Sequence, residues 1–438
     1  MLKFKNILAG AVVLAWGLFG LATARAELEI RITKGEVRAT PVAIVPFGWR
    51  SDGPKPQLDV AEIVEADLVR SGRFDALRRV DMLAYPTSAE DVDFRDWRIM
   101  RREYLLIGEI TPAPAGGYDV FFRLFDVLRG ELMVGARIPT SAADLRPTAH
   151  HIADWVYEKI TGEKGAFATR IAYVTVSGAV QSRVHSLHVA DVDGYNPQTI
   201  LTSRDPIMSP SWSPDGERLA YVSFEGGRSS IHMQEVYTGR RVRLASFKGI
   251  NGAPVWSPDG RQLALTLSKQ RNPDIYVMEV ATQRLRRLTD HYAIDTEPDW
   301  APDGRSLIFT SDRGGGPQLY RISAQGGEPE RITFDGDYNA RGRFSPDGKE
   351  LAFVHREDGA FRIAVMNLAT GQSQVLTDGH LDESPSFAPN GTMLIYATQA
   401  GDRGVLAATS VDGRVQQRLA LQAGSVQEPV WGPYLRSR

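Results

Sequence analysis

One motif recurs through the second half of the chain at a nearly constant interval. Its fullest copies, an aromatic residue followed by Ser/Ala-Pro-Asp-Gly, occupy residues 210–216, 254–260 and 298–304. Looser copies follow at 343–348 and 385–391, and a truncated copy lies at 429–433. The aromatic residues are spaced by 44, 44, 44, 43 and 44 positions: Trp212, Trp256, Trp300, Phe344, Phe387 and Trp431. A fixed period in the forties with strand signals is typical of β-propeller blades.

Each repeat has the pattern of four short strands. The aromatic residue belongs to the first strand, and Pro-Asp-Gly predicts a tight turn in which glycine accepts the left-handed backbone conformation. A short apolar strand follows each turn, as at residues 219–222 and 263–266, and an alternating strand follows later, as at 275–280. The second half is therefore expected to be all β.

The two ends of the repeat region complement each other. The apolar second strand has an extra copy at residues 171–174, without a motif before it, whereas the motif around Trp431 has no strands after it. We therefore predict that residues 428–435 form the innermost strand of the blade that begins at Ile171. This closes a six-bladed ring and leaves no exposed edge. The alternative is an open stack with unpaired strands at both ends.

The segment before the repeats has no internal period. Strand patterns at residues 41–47, 104–110 and 118–127, together with helical patterns at 58–71 and 147–160, predict a small α/β domain. We expect this domain to cover residues 27–162 and the propeller to cover 166–438, with the linker around 161–165.

The N-terminus has the pattern of an export signal. Lys3 and Lys5 precede an apolar run at residues 7–21, and Ala24-Arg25-Ala26 supplies the small residues of a cleavage site. The alternative is a membrane anchor, but a run of about 15 residues is short of the roughly 20 that span a bilayer. We expect residues 1–26 to be removed and the mature chain to begin at Glu27 without a membrane span.

Composition and motifs argue against several chemistries. The chain has no cysteine, so it has no thiolate site, and its net charge of −2 does not favour a nucleic-acid binder. The repeated aspartates are explained by turn chemistry. His185 and His188 are three apart in a predicted strand, and the adjacent His150 and His151 diverge on a helix. We therefore expect no catalytic residues, no metal and no cofactor.

Two protein-binding surfaces remain as candidates. The polar loops that lead into the six aromatic strands should converge on one face around the central channel. The mature N-terminus alternates apolar and charged residues over positions 27–33. Such a strand on a free chain end can add to the sheet edge of another protein. The alternative for this segment is an edge strand of the α/β domain itself.

Together these residues resemble the TolB family of periplasmic Tol–Pal proteins over the whole mature chain. Beyond the order of signal, α/β domain and propeller, the similarity lies in residues 39–47, 66–72, 160–165, 171–174, 251–254 and 382–391. The resemblance implies a periplasmic scaffold, monomeric and not an enzyme, that serves outer-membrane integrity and constriction at cell division. Its partners would be the lipoprotein Pal and the inner-membrane protein TolA, with other Tol or outer-membrane proteins and colicins as further partners.

The resemblance also assigns residues. It places Pal binding on the propeller face at Asn251, Gly252, Ala253, Thr296 and Glu297, where Ile250 replaces a polar residue that some members carry. It places TolA binding on the mature N-terminus: Glu27, Leu28, Glu29, Ile30, Arg31, Ile32 and Thr33. Two other classes stay open on the sequence alone, a hydrolase that uses a channel carboxylate and a propeller that binds a glycan or small ligand.

Overall fold

The chain forms an α/β domain followed by a six-bladed β-propeller, as the repeat predicted. The computed structural model describes residues 29–32, 39–114, 116–419 and 424–435. The predicted signal at residues 1–26, and also Glu27, Leu28 and Thr33, lie outside the described residues. Within the described part of the chain, none of the helices combines the length and apolar character needed to cross a membrane.

The α/β domain is a three-layer sandwich. Its sheet has the order β4-β2-β5-β6-β7, with β3 paired to β5, and the pairs β2–β4 and β2–β5 are parallel. The elements up to residue 161 are, in chain order, β1 (Glu29–Ile32), β2 (Thr40–Ile44), β3 (Gly48–Trp49), α1 (Val60–Arg70), β4 (Phe74–Ala76), α2 (Phe94–Ile99), β5 (Tyr104–Pro112), β6 (Tyr118–Asp126), β7 (Glu131–Thr140) and α3 (Leu145–Thr161). Short 3-10 turns cover Arg79–Asp81 and Ala89–Asp91.

Alternation along β2 divides the core of this domain between the two faces of the sheet. Val42 and Ile44 pack with α1 and α3, whereas Ala43 packs with Trp97 of α2 on the other face. The predicted helices at 58–71 and 147–160 correspond to α1 and α3, and Pro147 is the third residue of α3 rather than the first. Strand β7 was not predicted, because its exposed outer face blurs the alternation.

The propeller blades are consecutive antiparallel sheets. The blades, each given from its innermost strand outward, are blade 2, β11 (Ile207–Trp212), β12 (Arg218–Ser223), β13 (Ser230–Glu235) and β14 (Arg241–Ala245); blade 3, β15 (Asn251–Trp256), β16 (Gln262–Gln270), β17 (Asn272–Glu279) and β18 (Leu285–Arg287); blade 4, β19 (Asp295–Trp300), β20 (Ser306–Ser311), β21 (Gln318–Ser323) and β22 (Glu330–Arg331); blade 5, β23 (Asn339–Phe344), β24 (Glu350–Glu357), β25 (Ala360–Asn367) and β26 (Ser373–Val375); and blade 6, β27 (Glu383–Phe387), β28 (Met393–Ala400), β29 (Arg403–Ser410) and β30 (Val415–Leu419).

Blade 1 contains both ends of the repeat region. Strands β8 (Arg170–Ser177), β9 (Val184–Asp191) and β10 (Gln198–Ser203) come from its start, and β31 (Ser425–Trp431) comes from its end. β31 pairs antiparallel with β8, and Trp431 lies opposite Ile171. The predicted closure of the ring is confirmed, with the innermost strand three residues earlier than expected at its start.

The repeated motif builds one end of every blade. Trp256 is buried between blades 2 and 3, in contact with the core of both. In the following turn Gly260 has φ +69°, and the Ser257 hydroxyl donates to the Asp259 carboxylate at 2.6 Å. Asp259 also accepts from the backbone N–H of Arg261. The repeated aspartates therefore cap turns, and we call this end of the propeller the turn end.

The first described strand belongs to the propeller rather than to the α/β sheet. Strand β1 pairs antiparallel with β30, with Glu29 opposite Arg418 and Ile32 opposite Val415, and it makes blade 6 five-stranded. The alternative of an edge strand on the α/β domain is therefore wrong. We call β1 the N-terminal arm.

Candidate protein-binding face

The end of the propeller opposite the turns surrounds a cavity of about 220 Å³ on the central axis. Each innermost strand has a break in its register and one non-glycine residue with φ between +44° and +56° at that point. All six of these residues line the cavity, and we call them the channel ring: Ser209, Ala253, Glu297, Arg341, Ser384 and Glu428. The loops that precede the six strands therefore converge, as predicted, and we call this end the channel end.

Proline explains how the strands tolerate this break. Five of the six channel-ring residues are followed by proline, and Arg341 is followed by glycine. A β-bulge leaves an unpaired backbone group, and proline has no N–H to leave unpaired. A left-handed conformation at a non-glycine residue costs about 1 kcal/mol or more, so the fold maintains a ring of strained positions at this end.

The channel ring is tied together by one arginine. Arg341 Nε lies 2.8 Å from Glu297, its Nη1 donates to the Ser384 hydroxyl at 2.6 Å, and the same nitrogen lies 3.5 Å from Glu428. Burial alone would lower the pKa of Arg341, but Glu428, Glu297 and Glu383 raise it further, so the guanidinium stays charged. These contacts link blades 4, 5, 6 and 1 across the channel.

Asp299 is a partly buried carboxyl group on the wall of the cavity that joins two blades. Its Oδ2 accepts from the backbone N–H of Phe344 at 2.9 Å, on the neighbouring innermost strand. Burial raises the pKa of Asp299 to about 6, against the lowering effect of Arg343 and of the backbone donors. In the corresponding position of blade 6, the Ser386 hydroxyl accepts from the N–H of Trp431. The position therefore connects innermost strands, and this structural role accounts for the carboxyl group.

The predicted contact residue Asn251 lies inside the face rather than on it. Its side chain is fully buried, accepts from the N–H of Phe247, and donates to the carbonyl oxygens of Phe247, Gly249 and Ser229. The corresponding residues of the next two blades, Asp295 and Asn339, are buried as well. Asn251 thus shapes the loop, and a partner would meet its neighbours.

The other four predicted residues lie together at the mouth of the channel and are partly exposed. Gly252 and Ala253 belong to blade 3, and Thr296 and Glu297 belong to blade 4. Thr266 of blade 3 joins them, because its hydroxyl lies 3.4 Å from that of Thr296 and accepts from the N–H of Glu297. Glu297 is already paired with Arg341, a contact that no sequence pattern indicated.

Exposed apolar side chains surround the channel on the same blades. Ile250 and Ile294 occupy equivalent positions, and their side chains are 49% and 48% exposed. Their backbone N–H groups are held by the Ser268 hydroxyl and the Asp312 carboxylate, at 2.7 and 2.8 Å. This end exposes further large apolar residues, Met208 in β11 and Tyr292 and Phe334 in the loops before β19 and β23. Exposed apolar residues in otherwise polar loops are typical of a protein-binding surface. Of these residues, only Ile250 was noted from the sequence.

Comparison with known proteins identifies the family. The model of the TolB amino-terminal domain matches residues 28–133, and that of the TolB β-propeller domain matches residues 157–435. The chain belongs to the TolB family. A Tol-Pal system protein TolB from Nitrosococcus oceani is 61% identical and is covered, like this chain, over 98% of its length. One from Xanthomonas oryzae pv. oryzae is 52% identical over 99% of each chain.

A solved structure of a TolB protein has the same architecture. The crystal structure of TolB from Acinetobacter baumannii matches with a TM-score of 0.86 and 41% sequence identity, and the match covers 94% of this chain and all of that one. The predicted fold class and the resemblance to TolB are thereby confirmed, and membership of the Tol–Pal system follows from the family.

Proposed function

We propose that this TolB protein is a non-enzymatic periplasmic scaffold that binds Pal at the channel end of its propeller and TolA through its mature N-terminus. In this role it serves outer-membrane integrity and constriction during cell division. The observation that carries the proposal is the channel end itself, where six strained positions surround one opening and blades 2 to 5 present exposed apolar side chains beside it. Large exposed apolar groups on an otherwise polar surface are typical of protein-binding sites.

The channel carboxylates support a scaffold rather than a hydrolase. Glu297 and Glu428 are paired with Arg341, and Asp299 accepts a backbone hydrogen bond between blades. Each is explained by contacts that hold the ring together. Substitution of Glu428 by glutamine should therefore affect stability without removing any turnover, and a hydrolytic activity lost in that variant would revive the enzyme class.

The Pal interface can be tested by calorimetric titration of residues 27–438 with Pal. Arginine in place of Ala253 or of Thr296 puts a large charged side chain on the channel mouth, and each change should weaken binding by about tenfold or more. Gln325→Arg is the matched control, because Gln325 is exposed and lies in the loop between β21 and β22 at the turn end. Wild-type protein that does not bind Pal, or a control that loses binding equally, would contradict the proposed site.

The N-terminal arm is held in a way that suits exchange between two partners. It is a four-residue edge strand, and pairing with β30 is through the main chain, which another sheet edge can replace. Ordering a chain segment costs about 1–2 kcal/mol per residue, so docking of a short arm is finely balanced. The arm runs antiparallel to β30 and its first residue lies toward the channel end, which supports coupling between TolA binding and Pal binding.

A reversible cross-link tests whether TolA needs a released arm. The chain has no cysteine, and Arg31 lies directly opposite Gln416, so the double variant Arg31→Cys, Gln416→Cys creates one candidate disulfide. The oxidised protein should lose TolA binding and regain it after reduction, whereas each single variant should bind in both conditions. Equal TolA binding by the oxidised and reduced double variant would contradict the exchange. Hydrogen exchange at residues 29–32 that Pal leaves unchanged would contradict the coupling.

The division of the chain remains part of the proposal: a cleaved signal at 1–26, an α/β domain with the TolA-binding segment at 27–162 and the propeller at 166–438. Protein recovered from the periplasmic fraction should begin at Glu27 by N-terminal sequencing. A chain that still begins at Met1 and sediments with membranes would favour the anchor instead.

A further inference from the structure

A buried group of charged residues lies where the α/β domain meets blade 1, away from both proposed binding surfaces. His150 of α3 is 2% exposed, and its Nδ1 lies 2.6 Å from Oδ2 of Asp67 on α1. The last residue of β9, Asp191, and Asp193 in the turn that follows lie at the same place. With two arginines these residues form what we call the interdomain cluster: Asp67, Arg70, Arg146, His150, Asp191 and Asp193.

The second ring nitrogen of His150 has no hydrogen bond of its own in the described part of the chain, and two further carboxylates lie near the imidazole. Nε2 is buried and has no hydrogen-bond partner among the described residues. One ligand atom each of His150, Asp191 and Asp193 lies within 4.8 Å of the others. In a neutral imidazole this nitrogen would be an unpaired acceptor next to negative charges, which is unfavourable. In an imidazolium it is a donor that the carboxylates stabilise.

The arginines already occupy the carboxylates of this group. Arg146 Nε lies 3.3 Å from Asp191, and Arg146 is also paired with Asp193. Arg70 is paired with Asp67 and lies 3.8 Å from Asp193. Three carboxylates and two guanidiniums leave a single negative charge when the imidazole is neutral, and protonation of His150 cancels it. A divalent cation would add excess positive charge beside two arginines, so a proton fits the cluster better than a metal.

We propose that protonated His150 is a latch that holds the α/β domain against the first blade of the propeller and that loosens when the proton is lost. Because α1 and α3 supply one side and the turn after β9 supplies the other, the imidazolium binds both domains at once. This proposal is independent of the binding functions proposed above.

The electrostatics around the latch give its pH dependence. Burial lowers the pKa of His150, but Asp67 and Asp193 raise it and the net direction is upward, with Arg70 opposing them. Burial raises the pKa of Asp191, and His150 lowers it in turn. A raised histidine pKa contributes stability that is complete below its unfolded value, about 6.5, and is lost as the pH rises through the folded value.

Other titratable groups nearby set the range of the test. Asp154, one turn later on α3, accepts from the N–H groups of Phe167 and Ala168, and burial raises its pKa to about 6. His151 is in contact with solvent, and partial desolvation together with the neighbouring His150 lowers its pKa. The positive charge of Arg170, on β8, lowers the pKa of Asp191. Asp154 is already mostly ionised at about pH 6.5, so most of the change above that pH belongs to His150.

The latch is also connected to the N-terminal arm. The backbone carbonyl of Arg70 accepts a hydrogen bond from the Gln417 side chain, and Gln417 lies opposite Ile30 in the pairing of β30 with the arm. Loss of the latch therefore removes support from the strand on which the arm is docked.

Distances between spin labels on the two domains test the latch. Because the chain has no cysteine, the full mature protein can carry labels at Glu131→Cys in the α/β domain and Gln198→Cys in blade 1, both exposed. Between about pH 6.5 and 9 we expect a second, broader distance population to grow several-fold in the wild type. His150→Gln should show that population at every pH without a pH response, and His151→Gln, one residue along the same helix, should behave as wild type.

Asp193→Asn keeps the shape of the turn and removes one charge that faces His150. It should lower the pH at which the second population appears, and it keeps the proposal testable where His150→Gln does not fold. A wild-type distribution that is constant over this pH range overturns the proposal, as does a wild-type pH response in His150→Gln. A distribution that changes on adding Zn²⁺ or a chelator, in wild type but not in Asp193→Asn, would instead make the cluster a metal site.

Discussion

The two ends of the propeller share the same strands but differ in how their polar groups are satisfied. At the turn end, Ser257 and Asp259 bond to each other and to the adjacent backbone within one hairpin, and the motif repeats this arrangement from blade to blade. At the channel end, the bonds run between blades, as from Arg341 to Glu297 and Glu428. The turn end is therefore assembled locally, whereas the channel end depends on the closed ring.

This difference separates stability from recognition. The turn end carries the α/β domain, where Arg146 is paired with Asp191 and the Asp154 carboxylate accepts from the backbone N–H of Phe167. The channel end carries strained backbone, buried charges and exposed apolar side chains. Strain that persists only because the surrounding structure determines it is typical of binding sites. Substitutions at the two ends should accordingly have different consequences.

The largest effect should follow from removing the partner of a buried charge at the channel end. Asp295 is fully buried, and Arg313 binds both of its oxygens at 2.8 and 2.7 Å. Arg313→Ala leaves this carboxylate unpaired, and we expect the free energy of unfolding to fall by about 3–5 kcal/mol. Urea denaturation of the mature protein measures it.

Two further variants sharpen this result. Arg305→Ala removes an exposed arginine from the turn end of the same blade and should change stability by no more than about 0.5 kcal/mol. The equivalent residues of blades 3 and 5 are Asn251 and Asn339, so adding Asp295→Asn to Arg313→Ala should restore much of the loss. Equal losses at Arg313 and Arg305 would refute the difference between the two ends.

An intermediate effect with a distinctive pH dependence is expected at Asp299. Since burial raises its pKa to about 6, the folded protein binds a proton that the unfolded chain releases near 3.8. The contribution of Asp299 to the stability of the wild type therefore falls as the pH rises from about 4 to 6. Asp299→Asn keeps an acceptor for Phe344 and cannot ionise, so it should remove this fall and gain roughly 1–2 kcal/mol at neutral pH.

Asp259 at the turn end should respond with the opposite sign. The Ser257 hydroxyl and the backbone N–H of Arg261 lower the pKa of Asp259, so its contribution is present at neutral pH and lost as the pH falls below about 3.8. Asp259→Asn should cost about 1 kcal/mol at neutral pH. Unfolding measured from pH 3 to 7 compares the two variants, and pH profiles of the same sign would contradict the assignment.

The sequence predicted the features that arise within one repeat and missed the contacts that form between residues of distant blades when the ring closes. The motif specified the blades, the turns and the closing strand because each depends on residues within one repeat. Arg341 and Glu428 are 87 positions apart and meet only after closure. Asn251 was expected to be a contact residue because the family resemblance assigned it to the Pal face, but burial gives it a structural role. His150 was set aside as one of two diverging histidines, and its neighbours come from another helix and another blade.

The smallest effect on stability, with a large effect on binding, is expected at the apolar residues around the channel. Ile294 is 48% exposed and its backbone is held by Asp312, so Ile294→Ser should alter the free energy of unfolding by less than about 0.5 kcal/mol. The same change should weaken Pal binding by about tenfold or more, because it removes a fixed apolar contact from the proposed face. Leu128→Ser makes the same kind of apolar-to-polar change at an exposed residue of the α/β domain, and it should alter neither the stability nor the affinity for Pal. If Ile294→Ser bound Pal with wild-type affinity in a calorimetric titration, the exposed apolar side chains would not be what binds Pal at the channel end.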